Sequence, residues 1–188
     1  MRARLTLLAA ARSAPLLDAR FDDDRPLDDA GWREVRRRVP ALAPLAAAEL
    51  RYCSPSTGCR ETGRALGLAP LAQPALRDCD MGRWYGLTLR EVTAREPRAV
   101  AAWLSDPFAA PHGGESLAAF IARVGSWLDT RPLDGEGSIV AVAEPAVVRA
   151  ALCHALTAAP AAYWHLDVRP LAAVTLTGQA GQWSLSVT

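Results

Sequence analysis

The sequence predicts an α/β protein, with helices on both faces of a mostly parallel central sheet in a three-layer α/β/α sandwich. Short apolar runs alternate along the chain with segments in which apolar residues recur every three or four positions, an order typical of parallel sheets. The length of 188 residues fits one domain. Hydrophobic residues make up 51% and charged residues 22% of the chain, values typical of globular proteins and not of disordered ones. We therefore expect one folded domain over residues 1–188.

Two strand–helix units are predicted in the N-terminal part of the chain. The run Leu5–Leu8 is apolar and follows arginine, which predicts a short buried strand. Asp28 and Asp29 are typical of a helix start, and Pro40 and Pro44 must kink or divide the helix that follows. The predicted elements are a strand over 5–8, a helix from 28 towards 50, a strand over 50–53 and a helix over 57–66.

The remaining elements follow the same logic. Ser116 begins the clearest helix, since apolar residues lie along one face of the segment after it. The apolar run Ile139–Ala143 predicts a buried strand, and Pro145 suits the first turn of a helix. The segment 78–112 begins with an irregular stretch rich in glycine and polar residues, and we expect it to form a lid. The other predicted elements are short helices over 88–95 and 97–104 and a C-terminal hairpin over 174–177 and 183–187.

Charge and composition exclude several classes of partner. The 21 basic residues are all arginine and the acidic residues number 20, so the net charge of +1 gives no strong field for nucleic acid or an anionic membrane. No run approaches the roughly 20 apolar residues that span a bilayer. We therefore expect a small-molecule ligand, no nucleic acid, no membrane and a cytoplasmic location. The oligomeric state stays open.

The cysteines indicate neither a metal site nor a disulfide framework. Cys53, Cys59, Cys79 and Cys153 form no CxxC pair and show no zinc-type spacing with histidine. A chain that can bury a core of this size does not need disulfides. We expect reduced thiols, no metal and no cofactor.

Several segments, in their order along the chain, resemble the histidine phosphatase superfamily, the phosphoglycerate-mutase-like fold. The resemblance extends over nearly the whole chain and implies the three-layer sandwich predicted above. The segments that carry it are Leu5-Thr6-Leu7-Leu8, Cys53-Ser54-Pro55, Glu61-Thr62, Gly82-Arg83-Trp84-Tyr85-Gly86-Leu87-Thr88, Gly113-Gly114-Glu115-Ser116 and Val140-Ala141-Val142-Ala143.

The same resemblance implies a degenerate catalytic site. In the family an Arg-His-Gly triplet follows the first strand, a second arginine lies in the next loop, and a second histidine ends a later strand. Here the arginine and histidine of the triplet fall on Ala9 and Ala10, the second arginine on Gly58 and the second histidine on Glu144. A methyl group neither attacks phosphorus nor binds its oxygens. We therefore expect a pseudoenzyme-like site with no phosphatase or mutase activity and weak phosphate binding.

Two carboxylates take the place of that chemistry in our interpretation. Glu144 and Glu115 fall on active-site positions of the family, and two carboxylates in one cleft form an acid/base pair in outline. One hypothesis is therefore a repurposed biosynthetic enzyme that dehydrates, isomerises or cyclises a neutral or cationic small molecule. The alternative is a non-catalytic pseudophosphatase that binds a ligand or protein partner. Glu144 also precedes Pro145, so capping of the helix N-terminus is an equal alternative for its carboxylate.

Further residues are candidates for binding the ligand. Ser54 ends a strand at the same cleft, and His112 precedes the Gly-Gly-Glu-Ser segment, where a solvated turn residue is an equal alternative. Trp84 and Tyr85 offer flat apolar surface, although Trp84 matches a position that the family uses in its core. The arginines considered as counter-ions in the cleft are Arg12, Arg60 and Arg83. His154 and His165 are interpreted as structural.

Overall fold

The computed structural model describes residues 3–14, 20–21, 23–131 and 137–186. The strands are β1 (Ala3–Ala9), β2 (Leu50–Cys53), β3 (Leu71–Ala72), β4 (Ser138–Ala143), β5 (Ala173–Gln179) and β6 (Gln182–Ser186). The α-helices are α1 (Asp29–Leu42), α2 (Thr57–Ala65), α3 (Leu89–Arg95), α4 (Pro97–Ser105), α5 (Leu117–Asp129) and α6 (Pro145–Ala155). Short 3-10 helices cover Ala43–Ala47, Pro74–Leu76, Gly82–Trp84 and Pro160–His165.

The six strands form one sheet in the order β3-β2-β4-β1-β5-β6. The pairs β2–β3, β2–β4 and β1–β4 are parallel, whereas β5 pairs antiparallel with β1 and β6 with β5. Alternate side chains of β1 lie on opposite faces of the sheet. Leu5 and Leu7 pack with α5 and α6 on one face, and Leu8 packs with Val35 of α1 on the other. Helices therefore cover both faces, which confirms the predicted α/β sandwich with a mostly parallel sheet.

The helix predicted from residue 28 towards 50 is shorter than expected. It ends at Leu42, and a 3-10 helix that begins with Ala43 and Pro44 replaces its second half. Asp28 caps α1 by accepting a hydrogen bond from the Gly31 amide at 2.6 Å. The edge strand β3 was not predicted because two residues give no periodic signal. The end of the predicted hairpin at residue 187 lies outside the described residues.

Two glycine-containing turns hold the Gly-Gly-Glu-Ser segment against residues 80–82. Gly82 has a φ of +49°, and a Cβ there would lie 2.2 Å from the His112 carbonyl oxygen. A Cβ on Gly114 would lie 2.0 Å from the Asp80 carbonyl oxygen. Larger residues at either position would push the two turns apart. The lid function of residues 78–112 stays a prediction.

No helix in the described part of the chain has the length and apolar character needed to cross a membrane.

Candidate active site

A pocket of about 140 Å³ lies at the carboxyl ends of the parallel strands β1, β2 and β4. Ala10 follows β1, Gly58 lies in the first turn of α2, and Glu144 follows β4, and all three line this pocket. The main chain draws these segments together, since the Ala10 amide donates to the Ala143 carbonyl at 2.8 Å. Such strand ends are where α/β sheets place ligands. We call this the strand-end pocket.

Glu144 has one oxygen held and one oxygen unpaired. Ser54, itself fully buried, donates its hydroxyl hydrogen to Oε1 of Glu144 at 2.9 Å. Oε2 is buried and has no hydrogen-bond partner among the described residues. Glu144 occupies the N-cap position of α6, but its side chain makes no capping hydrogen bond there. The capping alternative is therefore not what the structure shows, and the carboxylate is oriented by Ser54.

Cys59 also lines the strand-end pocket, near the start of α2. Burial raises the pKa of the Cys59 thiol well above its usual value, and the nearby Glu144 carboxylate raises this pKa further. A nucleophilic cysteine requires the opposite shift, because the thiolate is the reactive form. Cys59 therefore contributes an uncharged thiol to the pocket lining and does not act as a nucleophile.

The arginines at the strand-end pocket differ from those the sequence suggested. Arg20 and Arg25 line it. Arg25 pairs through Nε with Asp23 Oδ2 at 2.5 Å, and Arg20 uses Nη1 to bind Glu91 at 3.1 Å. Each guanidinium carries five N–H donors, so these contacts use only part of its capacity. The cations in the described lining are therefore Arg20 and Arg25, and not the Arg12, Arg60 and Arg83 that the sequence suggested.

The predicted counter-ions lie elsewhere. Arg12 pairs with Asp28 at 3.1 Å, where it braces the start of α1. Arg83 forms a surface ion pair with Glu96, and Arg60 lines a separate groove beside β3. None of the three is among the described residues that line the strand-end pocket.

Glu115 is not paired with Glu144. It forms a two-pronged ion pair with Arg123, in which Nε and Nη2 each lie 2.8 Å from a carboxylate oxygen. Arg123 also donates to the carbonyl oxygens of Ala75, Arg77 and Asp78 at 2.8, 3.1 and 3.2 Å. The predicted catalytic role of Glu115 is corrected on this geometry: the residue holds the chain before and at Asp78 and does not line the strand-end pocket.

The predicted aromatic and histidine ligands are also placed outside the strand-end pocket. Trp84 is fully buried and packs 5.7 Å from both Phe21 and Trp103, measured between ring centroids, so it belongs to the core. Tyr85 is 54% exposed and lies outside the described lining. His112 is buried against Trp84, and its Nδ1 accepts a hydrogen bond from the Gly114 amide at 3.1 Å. Burial lowers the pKa of His112, which keeps its imidazole neutral.

All three histidines of the chain lie in its described part, and none lines the strand-end pocket. His154 bonds to Asp129 at 2.8 Å, and His165 is exposed at the end of a 3-10 helix. No group of three or more His, Cys, Asp or Glu side chains in the described segments is arranged to hold a metal ion.

Sequence reasoning missed Arg20, Arg25 and Asp78. The arginines belong to the charged, aperiodic stretch after β1, and Asp78 begins the irregular stretch after the second 3-10 helix. The available signal was a cluster of charged residues in a loop that leaves the carboxyl end of a strand. Asp78 lines both the strand-end pocket and a neighbouring cavity of about 220 Å³.

The family model of the histidine phosphatase superfamily, branch 1, matches residues 18–188. The chain belongs to this superfamily. A solved structure of mycobacterial glucosyl-3-phosphoglycerate phosphatase Rv2419c in complex with VO3 superposes with a TM-score of 0.80 and 26% identity, over 98% of this chain and 97% of that one.

Curated relatives match parts of the chain. The glucosyl-3-phosphoglycerate phosphatase of Mycobacterium tuberculosis is 35% identical over 111 residues, which cover 54% of this chain and 49% of that protein. The bifunctional protein Rv2228c of the same organism is 32% identical over 120 residues, or 62% of this chain and 33% of the relative. The aligned region thus spans a third to a half of these relatives' length.

These relatives correct the functional expectation. The sequence predicts a non-phosphatase, either a repurposed acid/base enzyme or a non-catalytic binding protein, and relatives named as phosphatases contradict both alternatives. The physical error lay in equating the absence of histidine with the absence of hydrolysis. A phosphohistidine route needs an imidazole, but water can attack a phosphate ester directly when a base and cations are in place. The assignment of Ala9, Ala10 and Gly58 to the family's catalytic positions stays a prediction.

Proposed function

We propose that the protein hydrolyses a phosphate monoester in the strand-end pocket, with Glu144 as the base that activates the attacking water. The observation that carries the proposal is the Glu144 carboxylate, oriented through Oε1 by Ser54 while Oε2 is buried without a partner among the described residues. A carboxylate that lines the pocket and is oriented by a hydrogen bond to one of its oxygens is a suitable proton acceptor. The relatives named as phosphatases support the reaction class.

The residues of the pocket favour direct attack by water over a covalent intermediate. No histidine lines the strand-end pocket, and the Cys59 thiol is protonated because burial raises its pKa. Neither of the usual imidazole or thiolate nucleophiles is therefore present among the described lining residues. We therefore assign the attack to water, whose activation requires a base such as Glu144.

The proposed step is balanced as an ordinary hydrolysis. The water oxygen forms a bond to phosphorus while its proton passes to Glu144, and the bond between phosphorus and the ester oxygen breaks. The released alcohol takes up one proton from solvent, Glu144 returns its proton to solvent, and inorganic phosphate leaves. Arg20 and Arg25 are the cations placed to neutralise the phosphoryl oxygens as charge shifts between them.

The charge of the pocket restricts the rest of the substrate. Besides its two arginines, the described lining includes the carboxylates of Asp23, Asp24, Asp78 and Glu144. A further anionic group on the substrate would be repelled by them. We therefore propose that the alcohol part of the ester is neutral or cationic, which distinguishes it from a phosphoglycerate with its own carboxylate.

The test is release of inorganic phosphate from a panel of phosphate monoesters that differ in the charge of the alcohol. We expect turnover that is lost in Glu144→Gln, because an amide does not accept the proton. The matched control is Glu34→Gln, which changes a partly exposed glutamate of α1 that pairs with Arg37 outside the pocket. Absence of phosphate release by the wild-type protein across the panel would overturn the proposal, as would full activity in Glu144→Gln.

A further inference from the structure

A second cavity adjoins the strand-end pocket and shares two of its residues. This cavity, of about 220 Å³, is lined by both Arg20 and Asp78. We call it the aromatic cavity, because half of its remaining lining residues carry aromatic rings. The rings belong to Phe21, Trp103, Phe120, Tyr163 and Trp164.

The rings form walls by packing edge to face. Trp103 and Trp164 have ring centroids 4.8 Å apart with planes at 79°, and Tyr163 and Trp164 lie 5.0 Å apart at 89°. Edge-to-face contacts of this kind fix ring orientation. The cavity therefore has rigid aromatic walls, which suit an apolar ring.

Besides the shared Arg20 and Asp78, one further charged residue lines the aromatic cavity. Arg149 of α6 lines it, and the guanidinium carbon lies 5.2 Å from the centroid of the Tyr163 ring. Nε of Arg149 is buried and has no hydrogen-bond partner among the described residues. A buried donor without a partner is costly, so a ligand that supplies an acceptor there is favoured.

The size of the aromatic cavity limits its occupant. An apolar cavity of about 150 Å³ binds benzene. A volume of about 220 Å³ thus accommodates one ring with a small substituent.

We infer that the aromatic cavity holds the alcohol part of the substrate, and that this part is a single aromatic ring with a hydrogen-bond acceptor facing Arg149. The inference rests on the proposed hydrolysis, because the phosphate group is taken to bind in the strand-end pocket while the ring lies in the adjoining aromatic cavity. Arg20 and Asp78, which line both spaces, mark the passage for the ester oxygen. The substrate class is therefore an aryl phosphate monoester.

The first experiment measures binding of product-like phenols without any turnover. Quenching of tryptophan fluorescence reports binding of 4-hydroxyacetophenone and of 4-isopropenylphenol, which has the same shape but no carbonyl acceptor. We expect wild-type protein to prefer the acetyl compound by about tenfold. Equal affinity of wild-type protein for the two compounds would overturn the inference.

Variants test whether the preference arises in the aromatic cavity. Arg149→Met keeps the aliphatic stem and removes the donor, so it should abolish the preference while both phenols still bind. Trp164→Ala should lower the affinity for both phenols at least tenfold. The control Phe108→Ala removes a ring that is 77% exposed and outside the cavity, and should change nothing. A preference that survives in Arg149→Met would overturn the inference even if Trp164→Ala fails to fold.

Phosphate release from 4-acetylphenyl phosphate separates this inference from the proposal on which it rests. Release at least tenfold faster than from 4-isopropenylphenyl phosphate, with the ratio reduced in Arg149→Met, supports both. The phenol preference without any phosphate release overturns the proposed hydrolysis and keeps the ligand class of the cavity. Release with no preference among the phenols overturns the inference alone.

Discussion

Glu144 and Glu115 are held in opposite ways, although both carboxylates are largely shielded from solvent. Glu115 has both oxygens bound by Arg123, whose guanidinium also binds three carbonyl oxygens. Glu144 has one oxygen held by Ser54 and one buried without a partner in the described part of the chain. A carboxylate whose partners are all supplied by the protein stabilises the fold, whereas one with a free lone pair at a pocket remains available for proton transfer.

The largest effect is expected where the fully satisfied pair is broken. Arg123→Met leaves the Glu115 charge shielded and unpaired, and should lower the free energy of unfolding by about 3–5 kcal/mol. Urea denaturation measures this loss. The control Arg37→Met breaks an exposed pair with Glu34 and should cost at most about 1 kcal/mol. Equal losses in the two variants would show that the Glu115 pair is no more important than a surface pair.

A double variant separates charge from packing at the same site. Adding Glu115→Gln to Arg123→Met removes the uncompensated charge, so part of the lost stability should return. If the double variant is less stable than Arg123→Met alone, the carboxylate stabilises the fold through contacts other than its ion pair.

At Glu144 the expected effect falls on rate instead of stability. Glu144→Gln should lower kcat/KM for phosphate release by about 100-fold or more, the usual contribution of a positioned base. The free energy of unfolding should change by less than about 1 kcal/mol, because the oxygen of the new side-chain amide can still accept from Ser54. Urea denaturation and phosphate release, measured on the same preparation, show whether the variant changes the rate without changing the stability. A large loss of stability with retained turnover would show that Glu144, like Glu115, stabilises the fold and does not act as the base.

A smaller change should follow from removing the donor that orients Glu144. Ser54→Ala leaves Oε1 without its hydrogen bond, which should cost about 1–3 kcal/mol of stability. Turnover should fall less than in Glu144→Gln, because the base is displaced and not removed. Phosphate release by Ser54→Ala at several substrate concentrations measures the effect on kcat and KM. Turnover as low as in Glu144→Gln would make Ser54 part of the chemistry itself.

The smallest effect concerns the pH dependence of stability near His112. Burial lowers the pKa of His112 in the folded protein, so the unfolded chain takes up this proton first as the pH falls below about 6.5. Stability should therefore decrease with falling pH from about 6.5 towards the folded pKa, by at most about 1.4 kcal/mol per pH unit. Urea midpoints between pH 5 and 7 measure the slope, which should be flatter in His112→Asn. An unchanged slope would exclude His112 as its source.

The sheet and the long helices were predictable because burial imposes a period on them. Leu5 and Leu7 alternate with residues of the opposite face, and α5 carries its apolar stripe from Leu117 to Leu128. Predicting that Ala10 and Glu144 lie in one pocket required only the rule that parallel strands end at the same edge.

The other residues of the site could not be predicted from a sequence period. Arg20, Arg25 and Asp78 reach the strand-end pocket from segments without a period, so only tertiary packing shows where they point. The partner of Glu115 is a helical arginine eight positions further on, and nothing in the sequence selects Arg123 over other cations. The environment of Trp84 likewise depends on rings from distant segments.

The main-chain pairing of Arg20 with Thr88 has a mechanical consequence. Arg20 forms a β-bridge with Thr88, the Phe21 amide donates to the Leu87 carbonyl at 2.9 Å, and the Arg20 guanidinium binds the Gly86 carbonyl oxygen. These bonds join a cation of the strand-end pocket to the residues that begin α3. A displacement of α3 would therefore move this positive charge relative to the strand ends, so that access for a ligand and affinity for its anion are coupled.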